Sequence, residues 1–348
     1  MKPQTMPPAF APSHPFHPRL GLAGPHRQTI AATFLPRRYR LPPPEERRFK
    51  VEEGSEVLCH CHWQADRHAA LTVVLVHGLE GSSDSQYVLG TAAKAWAAGM
   101  NVVRMNQRNC GGSERLTPTL YHSGLSGDMG AVARALIAEG LLRLALVGFS
   151  MGGNLVTKLA GEWGDGAPPE VLAFAAVSPS MDLAAAADAI HLPENRLYEW
   201  NFLRGLERRI RLKVRLFPGR YARESLRWMR SVREFDDQVT ARYSGFRDAD
   251  DYYERSSASR VVDRIARPTL IVHSDDDPFI PLLPLTRVHI RANPNITFLE
   301  TRRGGHCAFL APAGDYDGRW AEQTVVEFLS AQFSSASSPV NFPEKVQP

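Results

Sequence analysis

No run of this chain is apolar for long enough to cross a bilayer; even Val171-Leu172-Ala173-Phe174-Ala175-Ala176-Val177 falls far short of the roughly 18 residues a membrane helix needs. A secretory leader is not expected either. The first twenty residues carry Pro3, Pro7, Pro8, Pro12, Pro15 and Pro18 and no continuous apolar segment, so a cytoplasmic protein is expected. Cysteine is scarce: Cys59, Cys61, Cys110 and Cys307 match neither a metal-finger spacing nor a disulfide framework. Reduced, partly buried thiols are expected, with no metal and no cofactor. Lysine is almost absent, six residues against 35 arginines. No nucleic-acid recognition motif accompanies this basic character, which argues against nucleic acid as a partner.

What is present suits one sizeable core. A chain of 348 residues with 43% hydrophobic content accommodates a single α/β domain plus an insertion. Residues 1–45 are Pro-rich and read as an irregular arm lying on the body. Phe49 to Glu52 and Glu56 to His62 flank Glu53-Gly54-Ser55 as a hairpin. Strands then alternate with segments of helical length: strands at Leu71 to Val76, Val102 to Asn106, Leu144 to Val147 and Val171 to Ser178, helices around Tyr87 to Ala98 and Asp128 to Glu139. Continuous apolar strands separated by helices indicate a mostly parallel, doubly wound sheet covered on both faces. The alternation breaks over about 181–260, expected to be an inserted helical cap. It resumes with strands at Thr269 to His273 and Ile296 to Thr301 and a helix at Trp320 to Phe333. The domain is thus placed at 46–333, followed by a low-complexity tail at 334–348, expected to be disordered.

The chemistry centres on Val147-Gly148-Phe149-Ser150-Met151-Gly152-Gly153-Asn154. Chance supplies a bare Gly-x-Ser-x-Gly often, so its setting between a strand and a helix must decide. That setting is a nucleophile elbow, a turn so tight that the serine is strained and the positions two before and two after it cannot carry a Cβ. A serine nucleophile needs a base, an acid to orient the base, and amide donors for the developing oxyanion. Ser274-Asp275-Asp276-Asp277-Pro278-Phe279-Ile280-Pro281 and Arg302-Arg303-Gly304-Gly305-His306 both follow strands, where a doubly wound sheet gathers functional groups. Asp277, immediately before Pro-Phe-Ile-Pro, is the expected acid, with Asp276 as the alternative, and His306 is the expected base. The amides of Met151 and of Leu79, in the loop His77-Gly78-Leu79-Glu80-Gly81, are the expected oxyanion donors. His77 is expected to be structural.

These residues resemble the YheT-like α/β-hydrolases. The resemblance runs from Gly24-Pro25-His26-Arg27-Gln28-Thr29 through His77 to Ser83, Tyr121-His122-Ser123-Gly124, the elbow, Phe235-Asp236-Asp237, Gly245-Phe246, Asp251-Tyr252-Tyr253 and Asp276-Asp277-Pro278-Phe279 to Gly304-Gly305-His306. It implies the α/β-hydrolase fold and a serine carboxylesterase or lipase with the nucleophile at Ser150, the acid at Asp277 and the base at His306. Arg108-Asn109-Cys110-Gly111-Gly112 departs from the pattern, which carries glycine directly after the arginine. The expected reaction is hydrolysis of short-to-medium acyl esters, acylglycerols among them, and the expected partner is a small ester or lipid. Acyl transfer to an alcohol and lipid binding without turnover are the alternatives.

The net charge of +4 conceals an asymmetry: residues 204–233 hold eleven basic residues against Glu207 and Glu224. Leu203, Leu206, Ile210, Val214 and Phe217 fall at helical spacing opposite Arg204, Arg208, Arg211 and Arg215. Tyr221, Trp228 and Val232 repeat the arrangement against Arg220, Arg223, Arg227 and Arg230, so two amphipathic cap helices are expected. A solvated arginine face is the plainer reading; transient contact with an anionic membrane surface is the sharper one.

Overall fold

The structure is a computed structural model that describes residues 10–222 and 227–336. Valine-, alanine- and leucine-rich segments form strands buried on both faces, as a sheet sandwiched between helices requires. These are β3 (Thr72–Val76), β4 (Asn101–Met105), β5 (Leu144–Phe149), β6 (Val171–Val177) and β7 (Thr269–Ser274). Ahead of them β1 (Glu45–Glu52) and β2 (Ser55–His62) form an antiparallel hairpin, and β8 (Ile296–Thr301) closes the far edge. The eight strands lie in the order β1-β2-β4-β3-β5-β6-β7-β8. β2 meets β4 antiparallel and all later pairs are parallel.

Alternation along each strand splits the core. Val74 and Val76 join Met129, Val132, Leu155 and Leu159 of α3 (Ser126–Ala138) and α4 (Met151–Trp163) on one face. Val73 and Leu75 join Val88 and Ala92 of α2 (Gln86–Ala97) and Trp320, Val325 and Phe328 of the C-terminal helix on the other. Because the chain passes from β3 out to β4 and back to β5 on the opposite side of β3, a crevice opens at the carboxyl ends of β3 and β5. No helix among the described residues is long and apolar enough to cross a membrane.

Three elements differ from expectation. The arm contains a helix, α1 (Pro25–Phe34), with proline in its first turn, where the missing N–H costs nothing. Between β6 and β7 stand α5 (Leu183–Ile190), the long α6 (Arg196–Leu216), α7 (Val232–Phe235), which runs through a π-helical turn (Asp236–Ala241) into α8 (Arg242–Ser244), and α9 (Ala249–Ser256). The expected second amphipathic helix over 220–233 does not form in its described part. Gly219 at φ +83° turns the chain out of α6, Trp228 is 60% exposed, and a new helix starts only where the Ser231 hydroxyl accepts from Glu234 N at 3.1 Å. That Ser-x-x-Glu cap is a start signal the apolar spacing obscured. A helix unremarked in the sequence, α10 (Pro284–Ala292), links β7 to β8, and α11 (Trp320–Ala336) runs into the start of the expected tail. Residues 1–9, 223–226, which include Arg223, and 337–348 lie outside the described residues.

Candidate active site

Ser150 ends β5 and caps α4 with φ +55° and ψ −120°, a conformation that costs on the order of 1–3 kcal/mol and survives only where the surroundings impose it. They do. Ser150 N donates to Val177 O at 2.9 Å, and Ser150 O accepts from Asn154 N at 3.0 Å and from Ser180 N at 3.3 Å. A Cβ on Gly152 would lie 2.5 Å from His77 O, and one on Gly148 would fall on the Gly152 carbonyl, so both glycines are needed for β5, α4 and the β3 loop to close together. The Ser150 hydroxyl has no hydrogen-bond partner among the described residues and lines a cavity under the cap.

The loop after β7 separates its aspartates by role. Asp277 Oδ2 accepts from His306 Nδ1 at 2.7 Å, while its Oδ1 accepts from Phe279 N at 3.2 Å and Ile280 N at 3.0 Å. Asp276 instead braces the backbone, its Oδ1 taking Ser274 Oγ at 2.5 Å and Gly305 N at 2.9 Å. The Asp277 and His306 side chains are 1% and 11% exposed. Burial works against a charged imidazole, yet the adjoining Asp277 carboxylate outweighs it and holds the His306 pKa above its ordinary value. The His306 ring packs against Phe279 at 4.4 Å between centroids with the ring planes tilted by 49°, and Phe279 lines the same cavity as Ser150. His306 Nε2 faces Cys307 Sγ at 3.7 Å.

The loop after β3 reaches the serine from the other side of the crevice. Gly78 sits so close that an added Cβ would be 2.9 Å from the Ser150 Cβ, and its N–H donates to Tyr87 Oη at 3.0 Å. His77 is buried and its pKa is lowered to about 4 by that burial. Its Nε2 accepts from Gln107 N at 3.1 Å and its Nδ1 donates to Gly78 O at 2.7 Å, so it is a neutral brace of the loop. The amides of Leu79 and Met151 have no acceptor among the described residues, and both residues line the cavity with Ser150.

The rest of that cavity is largely apolar. Leu183, Ile190, Phe202, Leu206, Phe279 and Ile280 supply its walls, chiefly from cap helices. His122, Ser123, Ser180 and Thr240 add polar groups, and Asp236 adds a carboxylate. Burial raises its pKa to about 6, while Thr240 Oγ1 at 2.7 Å and Tyr253 Oη at 2.8 Å donate to it.

The sequence model described as the alpha/beta hydrolase fold matches residues 72–312. This chain belongs to the α/β-hydrolase family. The hydrolase is 31% identical over 334 residues to the candidate esterase YheT of Escherichia coli strain K12, covering 94% of this chain and 96% of that protein. It is 28% identical over 278 residues to Phospholipase ABHD3 of Mus musculus and 26% identical over 316 residues to Monoacylglycerol lipase of Saccharomyces cerevisiae. Those alignments cover 79% and 88% of this chain, and the chain spans 66% of each of the two longer proteins. Among solved structures, an esterase of Pyrococcus furiosus, Pf2001, superposes with a TM-score of 0.54 at 16% identity, over 85% of this chain and 98% of that one. A 2,6-dihydroxy-pseudo-oxynicotine hydrolase superposes with a TM-score of 0.58 at 15% identity, over 89% and 72%. At such identities the likeness concerns the fold.

The hydrolase also recruits residues that the motif leaves unmarked. Thr29 Oγ1 of α1 accepts from His306 N at 2.9 Å, and Gln28 exchanges hydrogen bonds with the Leu310 backbone at 2.7 and 3.1 Å, so the arm holds the histidine loop in place. Asn109, where the family pattern has glycine, adopts φ +66°. Asparagine tolerates that left-handed region better than other side chains, and the turn is kept.

Proposed function

We propose that this hydrolase cleaves carboxylic esters of short-to-medium acyl chains, acylglycerols included, through an acyl-enzyme on Ser150. Ser150 Oγ attacks the ester carbonyl and His306 Nε2 takes its proton. Asp277 keeps the Nδ1–H of His306 oriented and stabilises the imidazolium that forms. The Leu79 and Met151 amides donate to the oxyanion, at the positive end of α4. His306 then protonates the leaving alcohol, and a water it deprotonates releases the acid from the serine. In the resting geometry Nε2 faces Cys307 and Ser150 Oγ is unpaired, so the serine–histidine hydrogen bond forms as substrate fills the cavity.

The observation that carries this reading is the strained, unpartnered Ser150 opening onto the same apolar cavity as Phe279, the residue on which the His306–Asp277 pair rests. The esterase and lipase names of relatives agree with it. Its test is fluorophosphonate labelling together with turnover of a chain-length series of p-nitrophenyl esters and monoacylglycerols, on wild type and Ser150→Ala. Wild type should label and turn over, and Ser150→Ala should do neither. Folded wild-type protein that neither labels nor hydrolyses any ester of the series would sink the proposal.

A further inference from the structure

Helix α6 has two working faces. Inward, Leu203, Leu206 and Ile210 are buried, and Phe202 and Leu206 line the cavity that Ser150 opens into. Outward, Leu197, Trp200, Arg204, Arg208, Arg211 and Arg215 follow one another at steps of three or four residues, and all are exposed. Trp200 is 49% exposed and Leu197 is 80% exposed. Trp228, 60% exposed, lines one surface pocket with Trp200, Arg204, Glu207, Arg208 and Arg211. The Arg204 guanidinium lies 4.6 Å over the Trp200 ring, and Leu192, just before α6, is 46% exposed.

A merely solvated arginine face accounts for the charge but not for two half-bared indoles and two bared leucines set among it. Indole rings flanked by arginine and aliphatic side chains are the composition of a bilayer interface, where the ring lies at headgroup depth and the cation meets phosphate. Stacked nucleobases would use the indoles and arginines but leave Leu192 and Leu197 without a role. The carboxylates beside these arginines are outnumbered: Glu207 is buried and pairs with Arg211 at 3.3 Å, Glu234 pairs with Arg227 at 2.8 Å, and Glu114 shares a surface pocket with Arg208, Arg211 and Arg215 without an ion pair to any of them among the described residues. Arg208 and Arg215 have no ion-pair partner among the described residues.

We infer that the outer face of α6, together with Trp228, docks onto an anionic lipid surface, with the arginines on phosphate oxygens and Leu197, Trp200 and Trp228 in the interfacial layer. The helix that touches the lipid is then the helix whose other side walls the cavity, so adsorption brings a lipid source to the cap. This inference concerns adsorption and is independent of the ester-cleavage reading, because it is tested on Ser150→Ala protein.

That protein is sedimented with phosphatidylcholine vesicles with and without phosphatidylglycerol, in three forms: otherwise unchanged, Arg208→Glu/Arg211→Glu, and Trp200→Ser/Trp228→Ser. The altered side chains are exposed, and thermal unfolding of each form confirms that the fold is kept. The unchanged form should sediment with the anionic vesicles and not the neutral ones, and each double variant should weaken that partition by about tenfold or more. Equal partition onto both vesicle types, or partition that neither variant changes, overturns the proposal. So does displacement by single-stranded DNA combined with indifference to the tryptophan variant, which would mark a general polyanion site.

Discussion

Arg209 Nε donates to Glu80 Oε1 at 2.6 Å, in a pair whose side chains are only 10% and 11% exposed, where the cap rests on the loop after β3. Glu80 adjoins Leu79, sits at φ +56°, and is held further by Tyr121, whose hydroxyl donates to Oε1 at 2.6 Å and accepts from Glu80 N at 3.0 Å. Arg209 also donates to the carbonyl of Asn109. One cap residue therefore fixes two of the loops that frame the crevice.

From this pair it follows that Arg209 positions the Leu79 amide through Glu80. Arg209→Lys keeps the charge but loses the planar fork. It should lower kcat more than it raises KM, by about tenfold, with little change in Tm. Arg209→Ala leaves a buried carboxylate unpaired and should destabilise the fold by about 3–5 kcal/mol. Steady-state kinetics beside thermal unfolding separates the two effects, and a lysine variant with unchanged kcat would confine Arg209 to stability.

On the proposed mechanism the His306–Asp277 pair should set the pH dependence. His306 works as a base only when neutral, and Asp277 holds its pKa above the ordinary 6.5, against the opposing effect of burial. Falling pH therefore protonates it early: kcat/KM should drop along an acid limb centred above 6.5, leaving an alkaline optimum. Asp277→Asn removes the largest effect that raises the His306 pKa and leaves burial opposed only by the neighbouring Cys307, so the limb should move to lower pH while the plateau falls by about 10⁴-fold. Asp276→Asn, whose carboxylate hydrogen-bonds Ser274 and Gly305 and not His306, should leave the limb where it is. A limb that stays put in Asp277→Asn would assign the shift to another group.

The sheet and the loops at its strand ends were legible in the sequence because each of their signals is local. Short, β-branched apolar runs such as Leu71 to Val76, bounded by turn residues, read as central strands, and Gly148, Ser150 and Gly152 mark a turn by their spacing. Asp277 was distinguishable from Asp276 only through the Pro-Phe-Ile-Pro that follows it, whose Phe279 and Ile280 amides do bind its carboxylate. What stayed hidden depends on contacts between segments far apart in the chain. Nothing in Thr29 announces a hydrogen bond to a histidine 277 residues later, and within the basic run of 204–233 nothing local to Arg209 announces its burial against Glu80. The missing second cap helix has the same cause: spacing alone cannot tell a buried Tyr221 from an exposed Trp228.

Cys307 offers a chemical reading of the site that needs no mutation at Ser150, Asp277 or His306. Cys59, Cys61 and Cys110 are buried, which pushes the Cys61 and Cys110 thiols up to about 12 and Cys59 well above its ordinary value, so all three should be inert towards alkylation. Cys307 is partly exposed, sits at φ +55°, and holds its sulfur 3.7 Å from His306 Nε2 and 3.6 Å from Val177 O, the carbonyl that also accepts from Ser150 N. Iodoacetamide should therefore modify this thiol first in the folded protein, and the added carbamidomethyl group would occupy the space through which His306 reaches Ser150. Loss of ester turnover should track Cys307 labelling by mass spectrometry, and Cys307→Ala should be active and resistant. Full activity after complete alkylation of Cys307 would mean that His306 turns away from this sulfur without crossing the space the adduct fills.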